Sequence, residues 1–423
     1  MDIARKFREL ATQFPQKPFL IFRNQAISYQ QLVKQVNKLA CALRKQGVKK
    51  GEKVAVYLPN SPEYVFSYLA VFTLGAAVVP LDVRLTNEEL LGVLNHSEAS
   101  IFVTKPLEGL TFSDLAKQVP GLKNIVKCFT SEQDEFLNFE QIVQAESEQD
   151  LDAEVDEQSL AILYYTSGTT GKPKAVMSNY RSLDNATETV RYCGLTKDNF
   201  GEVQICALPL SHLGGFVYLQ FALEHNLTTV LMERFIPLEF LRNIEKHKVG
   251  WFHLVPPMFI AILQLKEFEK YDLSSVTSAC IFGAPSPPSL IQRFGQYCPN
   301  AALWHGWGMT ETAAPNTVTD SEHIASIGKA PTWLEVKIVD NNDQELPVGE
   351  VGELVCRGWP VMMGYYKEPE MTAEIMRHGW LHTGDLCSID KEGYLYIRGR
   401  KKDMIIVGGL NVYSPEVEHV IAE

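Results

Sequence analysis

The sequence predicts an α/β fold, with parallel sheets covered by helices and then a smaller β-rich subdomain. Three observations carry this. Short β-branched runs alternate with helical patterns through the first half of the chain, as parallel sheets require. After Ile324 the texture changes to short strands separated by turns. A length of 423 residues exceeds one ordinary core, so two or three subdomains are expected.

In chain order, the strand candidates of the first half are "VAVYLP" at 54–59, "AAVVP" at 76–80, "SIFVT" at 100–104, "AILYYT" at 161–166 and "TTVLM" at 228–232. Helical patterns at roughly 29–47, 62–74 and 87–96 lie between the early ones. The uncharged run 64–81, "YVFSYLAVFTLGAAVVPL", approaches the length of a bilayer span. Gly75 divides it into a buried helix after Pro62 and a short strand ended by Pro80, so it reads as core and no transmembrane segment is expected. The acidic stretch 130–159, with "SEQDEF" and "ESEQDLDAEVDEQ", reads as a solvated connection between two lobes. The later strands include "LEVKIVD", "GELVCRG" and "YLYIRGR", and there is no internal repeat. The expected divisions are 1–160, 161–325, 326–401 and 402–423. At the end, "YSPEVEHVIAE" supplies Ser414 as helix cap, Pro415 at the first helical position and an apolar face at Val417, Val420 and Ile421. Such a face needs a partner, so it is expected to open a small C-terminal domain that the chain does not complete.

Lys and Arg number 39 against 51 Asp and Glu, a net charge of −12, and the basic residues are dispersed except at Arg398, Arg400, Lys401 and Lys402. That argues against a nucleic-acid groove. The eight cysteines show no CxxC spacing, and "MDIARKFREL" starts an amphipathic helix and not a signal peptide, so a reducing, cytoplasmic setting is expected.

The stretch "YYTSGTTGKPK", 164–174, carries the first chemistry. It fails the Walker A pattern twice: two residues separate Gly168 from Gly171, and Pro173 follows Lys172 where a hydroxyl belongs. Its composition still suits phosphate. Thr166, Ser167, Thr169 and Thr170 offer hydroxyls, Gly168 and Gly171 permit close backbone approach, and Lys172 and Lys174 add charge after an apolar strand. A plain surface loop is the competing reading.

Further stretches follow in order: "LPLSHLGG" at 208–215, "GAPSPP" at 283–288, "HGWGMTE" at 305–311, "WLHTGDLCSIDKEGYLYIRGRKKD" at 380–403 and "VGGLNVYSPEVE" at 407–418. With the loop, these six motifs resemble those of the AMP-forming adenylating enzymes: acyl-CoA synthetases, 4-coumarate-CoA ligase-like enzymes, luciferases and peptide-synthetase adenylation domains. The resemblance implies a core of two helix-covered sheets plus a β-rich subdomain, with only the start of a small C-terminal lid. It implies ATP, Mg²⁺ and coenzyme A.

The resemblance also assigns roles. Trp307 would stack on adenine, with Gly283, Ala284 and Pro285 on the other face of the base and Gly308 beside it. A buried aromatic is the plainer reading, although Gly306 and Gly308 on either side are expected to expose its ring. Thr310 would contact the α-phosphate and Glu311 would hold magnesium, a hard cation suited to carboxylate oxygen. Asp385 would accept from the ribose hydroxyls, where a turn aspartate is the plainer reading, and Arg400 would add a ribose or phosphate contact. Lys402 falls at the hinge to the lid. Thr166, Lys172, His212, Thr310 and Glu311 form the catalytic set, and the loop 166–171 with Lys174 cradles phosphate. His212, Leu213, Gly214, Phe216, Gly306 and Met309 surround the acyl group, and small residues at Gly214, Gly215, Gly283, Ala284 and Gly306 would leave it room.

"SHLGG" carries no acidic residue of the kind that pairs with an α-amine, so the implied substrate is a carboxylic acid without one, of fatty-acyl type. The implied reaction makes an acyl adenylate, which a thiol then attacks. The thiol belongs to coenzyme A or to a carrier protein's pantetheine, approaching past Gly408 and Gly409. The family's lid lysine lies beyond Glu423 and neither Lys401 nor Lys402 stands in for it, so strongly impaired adenylation is expected; a non-catalytic nucleotide-binding fragment is the alternative.

Overall fold

A computed structural model describes residues 2–130, 136–151, 153–166, 173–284, 288–319, 322–403, 405–407 and 410–412, with the backbone alone for Pro288 and for the last two stretches. The C-terminal helix expected from Ser414 lies outside the described residues.

Two seven-stranded sheets form the body. In sheet I the order is Leu137–Asn138, Asn124–Lys127, Ile101–Thr104, Lys53–Tyr57, Ala77–Pro80, Leu160–Thr166 and Lys174–Asn179. All neighbours are parallel except the last pair. In sheet II the order is Ala302–His305, Ser278–Ile281, Trp251–Leu254, Val203–Cys206, Thr228–Leu231, Pro18–Phe22 and Gln25–Ser28. Each sheet thus ends in one antiparallel hairpin.

The chain crosses between the sheets twice, which moves the expected division at 160. Leu20 pairs in register with Thr229, so the first hairpin belongs to the second sheet. The strands flanking the glycine-rich loop belong to the first, where Val78 pairs with Ile162. A β-run has the same alternation wherever it docks, so the sequence carried no address for these edges.

The expected helices form as Tyr29–Lys45, Pro62–Thr73 and Asn87–Ser97. Ser28 with Gln31, and Thr86 with Glu89, build reciprocal capping boxes that satisfy amides at the first turn. Ser61 and Pro62 start the second helix, which is buried from Tyr64 to Thr73, and the strand Ala77–Pro80 follows a left-handed Gly75. Among the described residues no helix is long and apolar enough to cross a membrane.

A seam between the sheets is built from this helix and Leu213–His225. Phe216 is fully buried, with ring centroids 5.1 Å from Tyr68 and 5.9 Å from Phe72. Tyr68 donates to the Leu210 carbonyl at 2.9 Å, and Asn60 donates to the carbonyls of Leu208 and Met232 while accepting from the Leu210 amide. Buried and fully paired, these groups fix the segment 208–213 against the first lobe.

The acidic connection is more structured than expected. Phe139 and Val143 of the helix Phe139–Ala145 are buried. Glu146, Glu148 and Asp150 then pair with Lys45, Lys34 and Asn37 of the helix Tyr29–Lys45. The charge run is a strap matched to a basic helix face.

The third sheet is antiparallel, ordered Leu334–Val339, Gly352–Gly358, Trp380–Ile389 and Met376–Arg377, with Leu395–Arg400 also paired to Trp380–Ile389.

Candidate active site

The glycine-rich loop joins two antiparallel strands, with Thr166 paired to Lys174 at its mouth. A P-loop leads from a strand into a helix and uses that helix's N-terminus for phosphate. Here a hairpin closes on itself, which explains in structure why the Walker pattern failed in sequence. Ser167, Gly168, Thr169, Thr170, Gly171 and Lys172 lie outside the described residues.

Lys174, half-buried at the exit, places its ammonium 5.1 Å from the centre of the Tyr365 ring. The Tyr365 hydroxyl donates to Glu311 Oε1 at 2.9 Å. Burial, reinforced by the neighbouring Glu311 carboxylate, pushes the Tyr365 phenol well above its ordinary pKa, so it stays a donor. Glu311 sits in the one-turn helix Thr310–Thr312. Behind that turn, Asn185 Nδ2 donates to the carbonyls of Ala313 and Pro315, both at 2.9 Å. Loop exit and candidate metal carboxylate therefore meet through a tyrosine that sequence reasoning missed. Its only sequence signal was an aromatic pair after Gly364.

Trp307, Asp385 and Arg400 come together from three segments. The Trp307 indole donates to Asp385 Oδ2 at 2.7 Å, and Arg400 Nε lies 2.8 Å from Oδ1. Burial raises the Asp385 pKa above the ordinary carboxylate range despite the opposing pull of Arg400 and the Trp307 N–H. The expectation about the flanking glycines needs correction, because Trp307 is only 5% exposed. A β-carbon on Gly306 would stand 2.0 Å from the Thr317 carbonyl oxygen, and one on Gly308 would stand 2.4 Å from the Ala314 β-carbon. These glycines let the segment 314–317 press against the chain; they do not uncover the indole. Gly283 and Ala284 are exposed, with Gly283 left-handed at φ 93°, and Pro285 lies outside the described residues. Phe282 brings that turn close to Gly306, since a β-carbon there would also meet its ring at 3.1 Å.

His212 precedes the helix Leu213–His225, and its Nε2 lies 2.8 Å from Asp82 Oδ2. Asp82 also receives both Nε and Nη2 of Arg84. Burial acts to raise its pKa, but the hydrogen bonds from His212 and Arg84 overcome that and hold the carboxyl well below its usual range. The acid missing from "SHLGG" is thus supplied from 130 positions away, already paired with a guanidinium. No local spacing could have announced it.

Of the remaining substrate positions, Leu213, Gly214 and Met309 are half-buried, and Phe216 is fully buried in the seam between the lobes. Gly215 provides close approach instead of room, for its β-carbon would fall 2.1 Å from the Pro209 carbonyl oxygen. Gly214 is freer, with nearest contacts of 3.3 Å to His253 Nε2 and Leu208 Cδ1. Lys402 is exposed on the turn Lys401–Asp403, after Lys401, which lies 3.0 Å from Glu353.

No group of three or more metal-ligating side chains occurs among the described residues. A single carboxylate at Glu311, next to the Thr310 hydroxyl, fits magnesium, which keeps waters and phosphate oxygens in its shell; it does not fit a zinc or calcium cage.

A glycine-rich stretch between two antiparallel strands, an indole–aspartate–arginine cluster and one acidic turn are the parts the adenylating enzymes were expected to bring, and comparison with known proteins names that class. The chain belongs to the AMP-binding enzyme family, whose profile matches residues 7–366. It is 31% identical over 444 residues to a long-chain-fatty-acid–CoA ligase of Bacillus subtilis, covering 98% of this chain and 79% of that protein. It is 34% identical over 401 residues to a feruloyl-CoA synthase of Amycolatopsis, covering 93% and 77%. Among solved structures, o-succinylbenzoate CoA synthetase of Bacillus subtilis, in complex with its acyl-adenylate intermediate, superposes with a TM-score of 0.84 at 28% identity, covering 98% of this chain and 82% of that one. The chain is an AMP-forming acyl-CoA ligase.

Proposed function

We propose that this chain activates a fatty or related acyl carboxylic acid with ATP, releasing pyrophosphate, and passes the acyl group from acyl-AMP to coenzyme A. The observation that carries the reading is the cluster in which Asp385, nearly inaccessible to solvent, is held by both Trp307 and Arg400. An ionisable carboxylate is costly to bury, and oriented by an indole and a guanidinium it suits two neighbouring hydroxyls of a ribose.

The first step brings an anion against a polyanion, so its barrier is largely electrostatic. Arg400, Lys174 and the loop lysine Lys172 offset that repulsion, and hydroxyls at Thr166 and Thr310 orient the phosphates. Magnesium, when bound through Glu311, would neutralise charge on the phosphate oxygens. His212, steered by Asp82, faces the acid. Because Asp82 is already paired with Arg84, it offers no free charge for an α-ammonium group, which supports an acid lacking one. No side-chain nucleophile is required.

Hydroxamate formation over a panel of acids, ranging from long-chain fatty to hydroxycinnamic, tests the substrate. Preference for a fatty chain is expected, and exclusive use of an aryl or amino acid refutes it. Offering coenzyme A and a pantetheinylated carrier protein in turn tests the acceptor. Absence of acid-dependent hydroxamate with every acid would favour a nucleotide-binding role without catalysis.

A further inference from the structure

We propose that Tyr365 is a positioning residue for the adenylation step: its hydroxyl aims the Glu311 carboxylate and its ring seats Lys174 at the exit of the phosphate loop. This rests on the reading of Glu311 as the metal carboxylate.

Tyr365 is only 5% exposed, and its surroundings make it a rigid post. Its amide donates to Thr372 Oγ1 at 2.9 Å, and its neighbours are sewn to the strand Lys174–Asn179. The Met363 amide donates to the Met177 carbonyl, the Met177 amide to the Gly364 carbonyl, and the Tyr366 amide to the Ala175 carbonyl, at 2.9, 3.0 and 2.8 Å. The next side chain anchors it again. Lys53 donates to the Tyr366 hydroxyl at 2.9 Å, that hydroxyl donates to Glu98 at 2.6 Å, and Lys367 lies 2.9 Å from the other Glu98 oxygen. The acidic turn is fastened to the same segment, since the Met362 amide donates to the Glu311 carbonyl at 2.8 Å. A side chain so held can fix a rotamer of Glu311. It occupies Oε1, and among the described residues none is hydrogen-bonded to Oε2. The ring meanwhile faces the ammonium of Lys174. The hydroxyl and the ring thus serve two different members of the site, and no plain core tyrosine needs that arrangement.

Tyr365→Phe separates the two services, because it keeps the ring and removes the donor. The test is calorimetric titration of ATP into this chain with and without Mg²⁺, with the thermal midpoint measured alongside. Loss of one hydrogen bond to a charged group should cut the magnesium-dependent gain in ATP affinity by about tenfold and leave magnesium-free affinity unchanged. Thr372→Val, which releases the Tyr365 amide and the Glu368 carbonyl but touches neither the Tyr365 hydroxyl nor its ring, should move the same quantity in the same direction by a smaller factor. Glu311→Gln should abolish the gain. If Glu311→Gln abolishes it and Tyr365→Phe leaves it intact, the positioning role is overturned. Equal weakening of ATP with and without magnesium in Tyr365→Phe also overturns it, as a general structural effect. A gain that survives Glu311→Gln overturns the metal assignment itself, and the positioning role with it.

Discussion

Asp385→Asn should separate function from stability. Only 2% of the Asp385 side chain is exposed, against 51% for Arg400, so the pair is one-sided. Losing it frees a guanidinium that can turn to water, a loss of at most about 1 kcal/mol. Trp307 keeps an acceptor, but its hydrogen bond changes from charge-assisted to neutral, another roughly 1 kcal/mol. Against these losses stands relief from desolvating a carboxylate. The net change at neutral pH should lie within about 2 kcal/mol of zero.

The pH dependence carries the sign. Burial raises the native pKa, so the native state binds this proton more tightly than the unfolded chain. The wild type therefore loses stability as pH rises from the ordinary carboxylate value through the raised native one, and the variant lacks that limb. Nucleotide binding should respond differently. The two ribose hydroxyls proposed to bind Asp385 lose an ionised acceptor, worth about 2–3 kcal/mol together, or roughly 30- to 150-fold in ATP affinity. Urea unfolding of both proteins between pH 4 and 7, paired with ATP titration, measures both effects. A loss above about 3 kcal/mol at pH 7, the cost of stranding a buried charge, would refute the reasoning. So would an unchanged pH slope.

Phe216→Ala should destabilise by about 3–5 kcal/mol in urea, because the ring fills the seam between the lobes. Gly215→Ala should abolish soluble folded protein, whereas Gly214→Ala, whose contacts begin at 3.3 Å, should keep a thermal midpoint close to wild type. His212→Ala removes a hydrogen bond that holds Asp82 ionised. Since that carboxyl's stabilisation is present at neutral pH and lost on acidification, the acid unfolding midpoint should move to higher pH.

Much of the candidate site was legible because its residues sit in contiguous motifs. Thr166 with Lys174 and Trp307 with Glu311 each fall in one short segment, Asp385 and Arg400 lie on two consecutive strands of one motif, and a motif's residue types survive reading in one dimension. The partners that orient them do not. Asp82 reaches His212, and Tyr365 reaches Glu311, across large separations in sequence. The glycines misled for a related reason: the space beside Gly215 and Gly306 is filled by Pro209 and Thr317 backbone that arrives from elsewhere.

The sequence by itself determined the local elements, the failure of the Walker pattern and the family, since periodicity, caps and motif order are written along the chain. Tertiary structure alone decided which sheet each edge strand joins, that Trp307 is enclosed, and that Tyr365 meets Glu311 and Asp82 meets His212. Edge pairing and burial depend on which surfaces meet, and a residue's type does not record what will be packed against it.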